Sequence, residues 1–194
     1  NDDILIYDNS DLKSSCRLWF SLLYFGHDEK KIYILNGGLK KWIFENKPIT
    51  KLKTEIIESN YVANEKENLV VSFDQIKKNI LSKSFNVIDA RSLERFEGKV
   101  SEPRKGLRSG PIQNSFCLPF NQCINQKTGE FKNLEELREL FNQNENIEKR
   151  LDQVFTCGSG VTAAVLAYAY KMVNNDYIPK IYDGSWSEYG KYPA

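Results

Sequence analysis

The order of apolar and polar runs predicts an α/β fold: a parallel sheet flanked by helices on both faces, present as one complete copy plus a partial copy. Three observations carry this reading. Short apolar runs alternate with amphipathic stretches along the chain. Asn86-Val87-Ile88-Asp89-Ala90 is almost wholly apolar, as a strand covered on both faces of a parallel sheet would be. One order of strand, loop, helix and strand occurs twice.

In the first occurrence Ile4-Leu5-Ile6-Tyr7 is the strand, Asp8-Asn9-Ser10-Asp11 the loop and Leu12 to about Phe25 the helix. Ile32-Tyr33-Ile34-Leu35 is the next strand, followed by the Gly37-Gly38 turn and a short helix from Leu39 to Phe44. The second occurrence runs through Gln153–Thr156, the loop Cys157-Gly158-Ser159-Gly160, a helix from Val161 to Val173 and a strand Lys180-Ile181-Tyr182. Asp8 and Cys157, Ser10 and Ser159, and the triplets Lys31-Ile32-Tyr33 and Lys180-Ile181-Tyr182 all share an offset of 149 residues, which reads as an internal duplication. The second copy has a long front part before its loop and the first has a few residues, so the chain is expected to start inside a repeat unit. That front part supplies the apolar run Leu69-Val70-Val71, a helix from Phe73 to Leu81 with Ser72 as N-cap, and the strand 86–90. An irregular Gly/Pro/Ser-rich loop follows from Gly98 to Pro119, with a short strand in Phe116–Pro119, and Asn133 caps a helix from Leu134 to about Asn142. Pro48 to Asn68 is charged, weakly periodic and reads as a surface linker.

Composition narrows the function. The 194 residues carry 27 Lys+Arg against 26 Asp+Glu, a formal net charge of +1, so no global field draws the chain to nucleic acid or to an anionic membrane. No apolar run approaches the roughly 20 residues of a spanning helix. The first residues, NDDILIYD, have neither a basic n-region nor a long apolar h-region, so no signal peptide is expected from them. Cys16, Cys117, Cys123 and Cys157 are too few and too scattered for a disulfide framework or a zinc site, which suits a reducing, cytoplasmic setting. With His27 as the one histidine, no His-rich metal cage exists; beyond a helix end, it reads as a surface residue without catalytic role. Neither metal nor cofactor is expected.

The loop at 157–162 is where the chemistry points. In an open parallel sheet, reactive groups gather at the carboxyl ends of strands, where a loop turns into a helix N-terminus. Glycines on both sides of Ser159 let successive N–H groups curl around an anion, and the helix dipole adds its positive end. A thiol at that centre is favoured as thiolate, which makes Cys157 a nucleophile; the bland alternative is a small hydrophobe ending a strand.

Cys-Gly-Ser-Gly-Val-Thr-Ala at 157–163, with Asp89-Ala90-Arg91-Ser92, Arg95-Phe96, Glu102-Pro103-Arg104 and Tyr182-Asp183-Gly184-Ser185-Trp186-Ser187-Glu188-Tyr189, resembles the two-domain rhodanese superfamily, closest to its 3-mercaptopyruvate sulfurtransferase branch. Ile34-Leu35-Asn36-Gly37-Gly38-Leu39 with Trp42 resembles the end of that family's silent first domain. The resemblance implies residues 1–47 as the C-terminal part of an inactive rhodanese-like domain, 48–68 as linker and 69–194 as the catalytic domain. It further implies transfer of sulfane sulfur through a persulfide on Cys157 to a thiol, such as thioredoxin, or to cyanide. The backbone N–H groups of residues 157–162, including Gly158, Gly160, Val161 and Thr162, would hold the negative charge. Arg95 and Arg104 would bind the substrate carboxylate, and Ser159 would polarise the keto group; Arg91 is expected to pair with Asp89, while Arg108 could do either.

Substrate class follows from the same loop. Thiosulfate, a compact dianion, calls for fixed cations beside the cysteine, and this chain has neutral Gly158 and Ser159, which favours 3-mercaptopyruvate. Phosphatases of this fold close their loop with Arg six residues after Cys; here position 163 is Ala. The alternatives are a thiosulfate sulfurtransferase and a non-catalytic rhodanese-like binding module. Asp8 stands at the cysteine position of the first copy, as expected for the silent domain, and two departures stand out: the Asp and His that support the family's serine have no counterpart here, and Ser109-Gly110-Pro111-Ile112-Gln113-Asn114 lacks the family's His before Ile and Pro-Gly turn after it.

Overall fold

The computed structural model describes residues 2–11, 13–143 and 147–192. Strand β1 (Ile4–Ile6) leads into helix α1 (Ser15–Tyr24) and returns through β2 (Ile32–Ile34), which pairs with β1 in parallel, Ile4 beside Ile32 and Ile6 beside Ile34. Leu12, where the sequence places the start of α1, lies outside the described residues. Helix α2 (Gly38–Phe44) closes this part. From there to a 3-10 turn at Glu67–Leu69 the described chain forms neither helix nor strand, and Leu52, Ile56 and Val62 stand exposed.

The remainder forms α3 (Phe73–Ser82), β3 (Phe85–Asp89), α4 (Leu93–Phe96), β4 (Phe116–Cys117), α5 (Leu134–Asn142), β5 (Asp152–Thr156), α6 (Val161–Val173), β6 (Lys180–Ile181) and α7 (Ser185–Tyr189). Both longer surface helices start with reciprocal caps. Ser72 Oγ accepts from the Gln75 amide at 3.3 Å while Gln75 Oε1 accepts from the Ser72 amide at 2.7 Å, and Asn133 and Glu136 do the same for α5. The four strands line up as β4-β3-β5-β6, all parallel, with β5 central and in full register with β3.

A pleated strand sends alternate side chains to opposite faces, and the two cores follow that alternation. Val87 and Val154 join Ile76 of α3 and Trp186 and Tyr189 of α7 in one cluster. Ile88 and Phe155, one residue on, join Ala163, Leu166 and Ala167 of α6 in the other. Trp19 and Phe20 of α1 belong to that second cluster, so one apolar core runs through both sheets.

The two sheets repeat one arrangement, with a correction to the offset. Leu5 pairs with Tyr33 and Val154 with Lys180; Ile6 pairs with Ile34 and Phe155 with Ile181. The first strands keep the 149-residue spacing, but the second strands are related by 147. The matching Lys-Ile-Tyr triplets are therefore not in register: the stretch between helix and second strand is two residues shorter in the later unit. Backbone bonds agree with the corrected register, since the Leu39 amide donates to the Asp8 carbonyl and the Trp186 amide to the Cys157 carbonyl, each at 2.9 Å.

His27 also departs from expectation. It is buried, 6% exposed, with Nε2 3.0 Å from the Asp2 carbonyl. The segment 61–66 folds back along α1, with the Asn64 and Lys66 amides on the Phe25 and Tyr24 carbonyls and the Tyr61 ring centre 6.3 Å from that of the imidazole. Among the described residues no helix is long and apolar enough to cross a membrane, and no group of three or more His, Cys, Asp or Glu gathers as a metal site.

Candidate active site

Central strand β5 ends at Thr156 and α6 begins at Val161, so residues 157–160 form the turn at the strand's carboxyl end. Gly160 caps the helix at φ +80°, a conformation that L side chains rarely adopt. The Cys157 carbonyl accepts from the Trp186 amide, and the Gly158 carbonyl accepts from the Ser187 amide at 2.9 Å and Ser187 Oγ at 2.6 Å. In a trans peptide C=O and N–H point opposite ways, so pinning these carbonyls on the 186–187 side turns the Gly158 and Ser159 amides to the other. The Ser159 amide accordingly donates to Cys157 Sγ at 3.4 Å. The amides of Gly158, Gly160, Val161 and Thr162 meet no acceptor among the described residues. The Cys157 amide is the exception to the expected ring: it donates to Ser185 Oγ at 3.3 Å and so serves to fix the loop rather than to hold an anion. Ser185 is itself fully buried at φ +52°, a costly position for a non-glycine residue, and its hydroxyl donates to the Tyr182 carbonyl at 2.9 Å.

Cys157 is only 2% exposed and touches the apolar core, yet its sulfur faces amide hydrogen rather than hydrocarbon alone. Burial pushes Cys117 and Cys123 up to about 12, and Cys16 higher still, so these three stay protonated near neutrality.

Arg95 and Arg104 converge on the loop as the sequence expects. A methyl group placed on Gly158 would stand 3.0 Å from Arg95 Nη2 and 3.5 Å from Arg104 Nη1. Arg95 is aimed by Glu102, bonded through Nε at 3.2 Å and Nη2 at 2.5 Å, whereas the exposed Arg104 has no partner among the described residues. Arg91 is buried between Asp89 and Glu102, at 2.7 Å and 2.8 Å, with its guanidinium 4.2 Å from the Trp186 ring. Burial opposes ionisation of Glu102, but the hydrogen bonds and charges of Arg95 and Arg91 outweigh it and hold the carboxyl below its ordinary value. Arg108 packs on Trp186 and Tyr189.

Loop residues Cys157, Gly158, Ser159, Gly160, Val161 and Thr162 thus come together with Arg95 and Arg104. Sequence reasoning missed Glu102 as the bracket between two arginines, Ser185 and Ser187 as the ties of the loop, and Asp183 beside Gly160. A separate cavity of about 740 Å³ between α2 and residues 120–130 is lined by none of the loop residues.

In the first sheet the same turn holds Asp8. Its carboxylate accepts from the Ser15 amide at 2.5 Å, from Ser14 Oγ at 3.3 Å and from the Ser10 amide at 3.4 Å. The last of these matches the Ser159 amide on Cys157 Sγ in the second sheet.

A parallel sheet presenting a cysteine to a helix N-terminus below two arginines is the arrangement expected of the rhodanese class of α/β proteins. No family model matches the chain. It is 36% identical over 188 residues to human (Homo sapiens) 3-mercaptopyruvate sulfurtransferase, covering 96% of this chain and 62% of that one. It is 36% identical over 214 residues to thiosulfate/3-mercaptopyruvate sulfurtransferase 2 of Arabidopsis thaliana, covering 100% of this chain and 61% of that one. The crystal structure of SseA from Escherichia coli, described as the rhodanese fold of 3-mercaptopyruvate sulfotransferases, superposes with a TM-score of 0.79 at 31% identity, over 95% of this chain and 66% of that chain. The chain belongs to the rhodanese superfamily, and its relatives there are 3-mercaptopyruvate and thiosulfate sulfurtransferases. It spans about three fifths of the length of these curated relatives.

Proposed function

We propose that the chain carries the sulfurtransferase activity of its relatives, taking the thiol sulfur of 3-mercaptopyruvate onto Cys157 as sulfane sulfur, with residues 69–194 as the catalytic domain, 1–47 as part of a silent one and 48–68 as linker. The observation that carries it is the Cys157 sulfur at the N-terminus of α6, contacted by the Ser159 amide, with the Arg95 and Arg104 guanidinium groups over the adjoining Gly158. The donor carboxylate meets the arginine pair, whose planar donors match two oxygens at once. Ser159, whose hydroxyl is not engaged elsewhere in the loop, donates to the keto oxygen. The thiolate electron pair of Cys157 forms the S–S bond, the C–S bond of the donor breaks with its pair going to carbon, and the resulting enolate takes up a proton to give pyruvate. A thiol acceptor then attacks the outer sulfur and releases the Cys157 thiolate; thioredoxin and cyanide are acceptors of suitable chemistry. All four cysteines stand as free thiols, in keeping with a reducing compartment such as the cytoplasm.

Incubating the purified protein with 3-mercaptopyruvate, with no thiol acceptor added, should add one sulfur, about 32 Da, to Cys157, because the persulfide is a reversible cap that stays on the thiol until an acceptor removes it. The added mass should vanish in Cys157→Ser and persist in Cys16→Ser; a chain that never gains it is a rhodanese-like binding module instead. Thiosulfate is the second donor to compare, since a relative's name includes it. With neutral Gly158 and Ser159 beside the sulfur, kcat/KM should favour 3-mercaptopyruvate, and Arg104→Ala should lower that value more than the one for thiosulfate.

A further inference from the structure

The cysteine loop has charge on both flanks. Arg95 and Arg104 stand on the Gly158 side; on the Gly160 side stands the Asp183 carboxylate, 2.5 Å from the place a methyl on Gly160 would occupy. A carboxylate there works against a loop built to receive anions, because its field lowers their local concentration. Its counter-charge comes from the other sheet. Arg17 of α1, 166 residues earlier, grips Asp183 with both guanidinium nitrogens, Nη1 on Oδ1 and Nη2 on Oδ2 at 3.3 Å. Arg17 Nη1 also lies 2.7 Å from the methyl position on Gly160. The remaining acids nearby are otherwise engaged: Glu188 accepts from the Tyr182 hydroxyl at 2.8 Å, and Glu102 is shared by Arg91 and Arg95.

We propose that Arg17, carried by the half whose turn holds Asp8 in place of a cysteine, is a positioning residue of the Cys157 loop that acts through Asp183, cancelling its charge so that anionic reactants reach the α6 N-terminus. A purely mechanical tie between the halves behaves differently: it is lost whichever partner is removed, and removing both is no better than removing one.

The inference rests on Cys157 being the reactive sulfur, and its test needs no sulfur donor. Second-order rates of Cys157 alkylation are measured in the purified protein with iodoacetate, an anion, and iodoacetamide, its neutral counterpart, and their ratio is followed. Arg17→Met should lower the ratio about threefold or more, by the size of one nearby uncompensated charge, and added salt should shrink the difference. Arg17→Lys should keep most of the ratio. Arg17→Met with Asp183→Asn should return it to near the wild-type value, which a mechanical tie cannot do. An unchanged ratio in Arg17→Met, or a double variant as low as the single one, overturns the proposal. Should Arg17→Met not fold, Asp183→Asn alone decides, since an unpaired Arg17 must raise the ratio above wild type and a ratio no higher overturns it. A wild-type Cys157 inert to both reagents sinks the catalytic reading and this inference together, whereas brisk alkylation with an Arg17-independent ratio sinks the inference alone.

Discussion

Arg91 is the most enclosed charge of the site, with its side chain 0% exposed between two carboxylates that are each 1% exposed. Replacing it by methionine leaves Asp89 and Glu102 buried beside too little positive charge, and breaking such a pair costs about 3–5 kcal/mol. Urea unfolding of Arg91→Met should show a loss of that order. Glu102 gives the pH dependence. Its folded-state pKa lies below the ordinary 4.5, so the stability it contributes is full above that value and is lost as pH falls through the folded one. Glu102→Gln should therefore be less stable than wild type near neutrality, with a shallower loss below pH 4.5. The Asp89-Ala90-Arg91 spacing makes that pair legible in the sequence, because a carboxylate and a guanidinium two residues apart at a strand end reach each other locally. Arg17 and Asp183 were not legible: only the packing of α1 on α6 brings them together. His27 misled for a related reason, since a polar side chain after a helix reads as exposed until a distant segment covers it.

At the level of elements, caps and periodicity were the reliable signals. Ser72 and Asn133 mark the starts of α3 and α5, and the bounds of α6 at Val161 and Val173 follow from the glycine turn before it and the end of its apolar pattern. Ser72→Ala removes the Oγ half of the reciprocal cap, leaving the backbone amide of residue 72 on Gln75 Oε1, and should cost about 1 kcal/mol in thermal or denaturant unfolding. The short strands were legible in kind but not in register. β2 and β6 consist of three and two residues, and identical triplets in both suggested an alignment that the hydrogen bonds displace by two residues. A strand that short is aligned by its neighbour's backbone, so its own side chains carry little of the information.

For the molecule as a whole, alternating strands and helices foretold the parallel sheet and its two faces, while the joining of the two sheets lay beyond any local pattern. Trp19 of α1 is 2% exposed and meets Tyr168 of α6 edge-on with ring centres 5.0 Å apart, inside the core that spans both sheets. Trp19→Ala should cost about 3–5 kcal/mol, as for other buried aromatic deletions. Because that core is shared, far-UV circular dichroism and fluorescence of the remaining tryptophans should still report a single coincident transition; two separate transitions would mean that the sheets unfold independently. The Asp8 turn bears on the other turn in a further way. One unit clasps a carboxylate oxygen tethered to its own main chain, which never departs, while under the proposed function its twin would grasp an outer sulfur and surrender it once per cycle. On that reading the repeated cradle serves once as a permanent mooring and once as a berth for traffic, and the grip that suits the first would throttle the second.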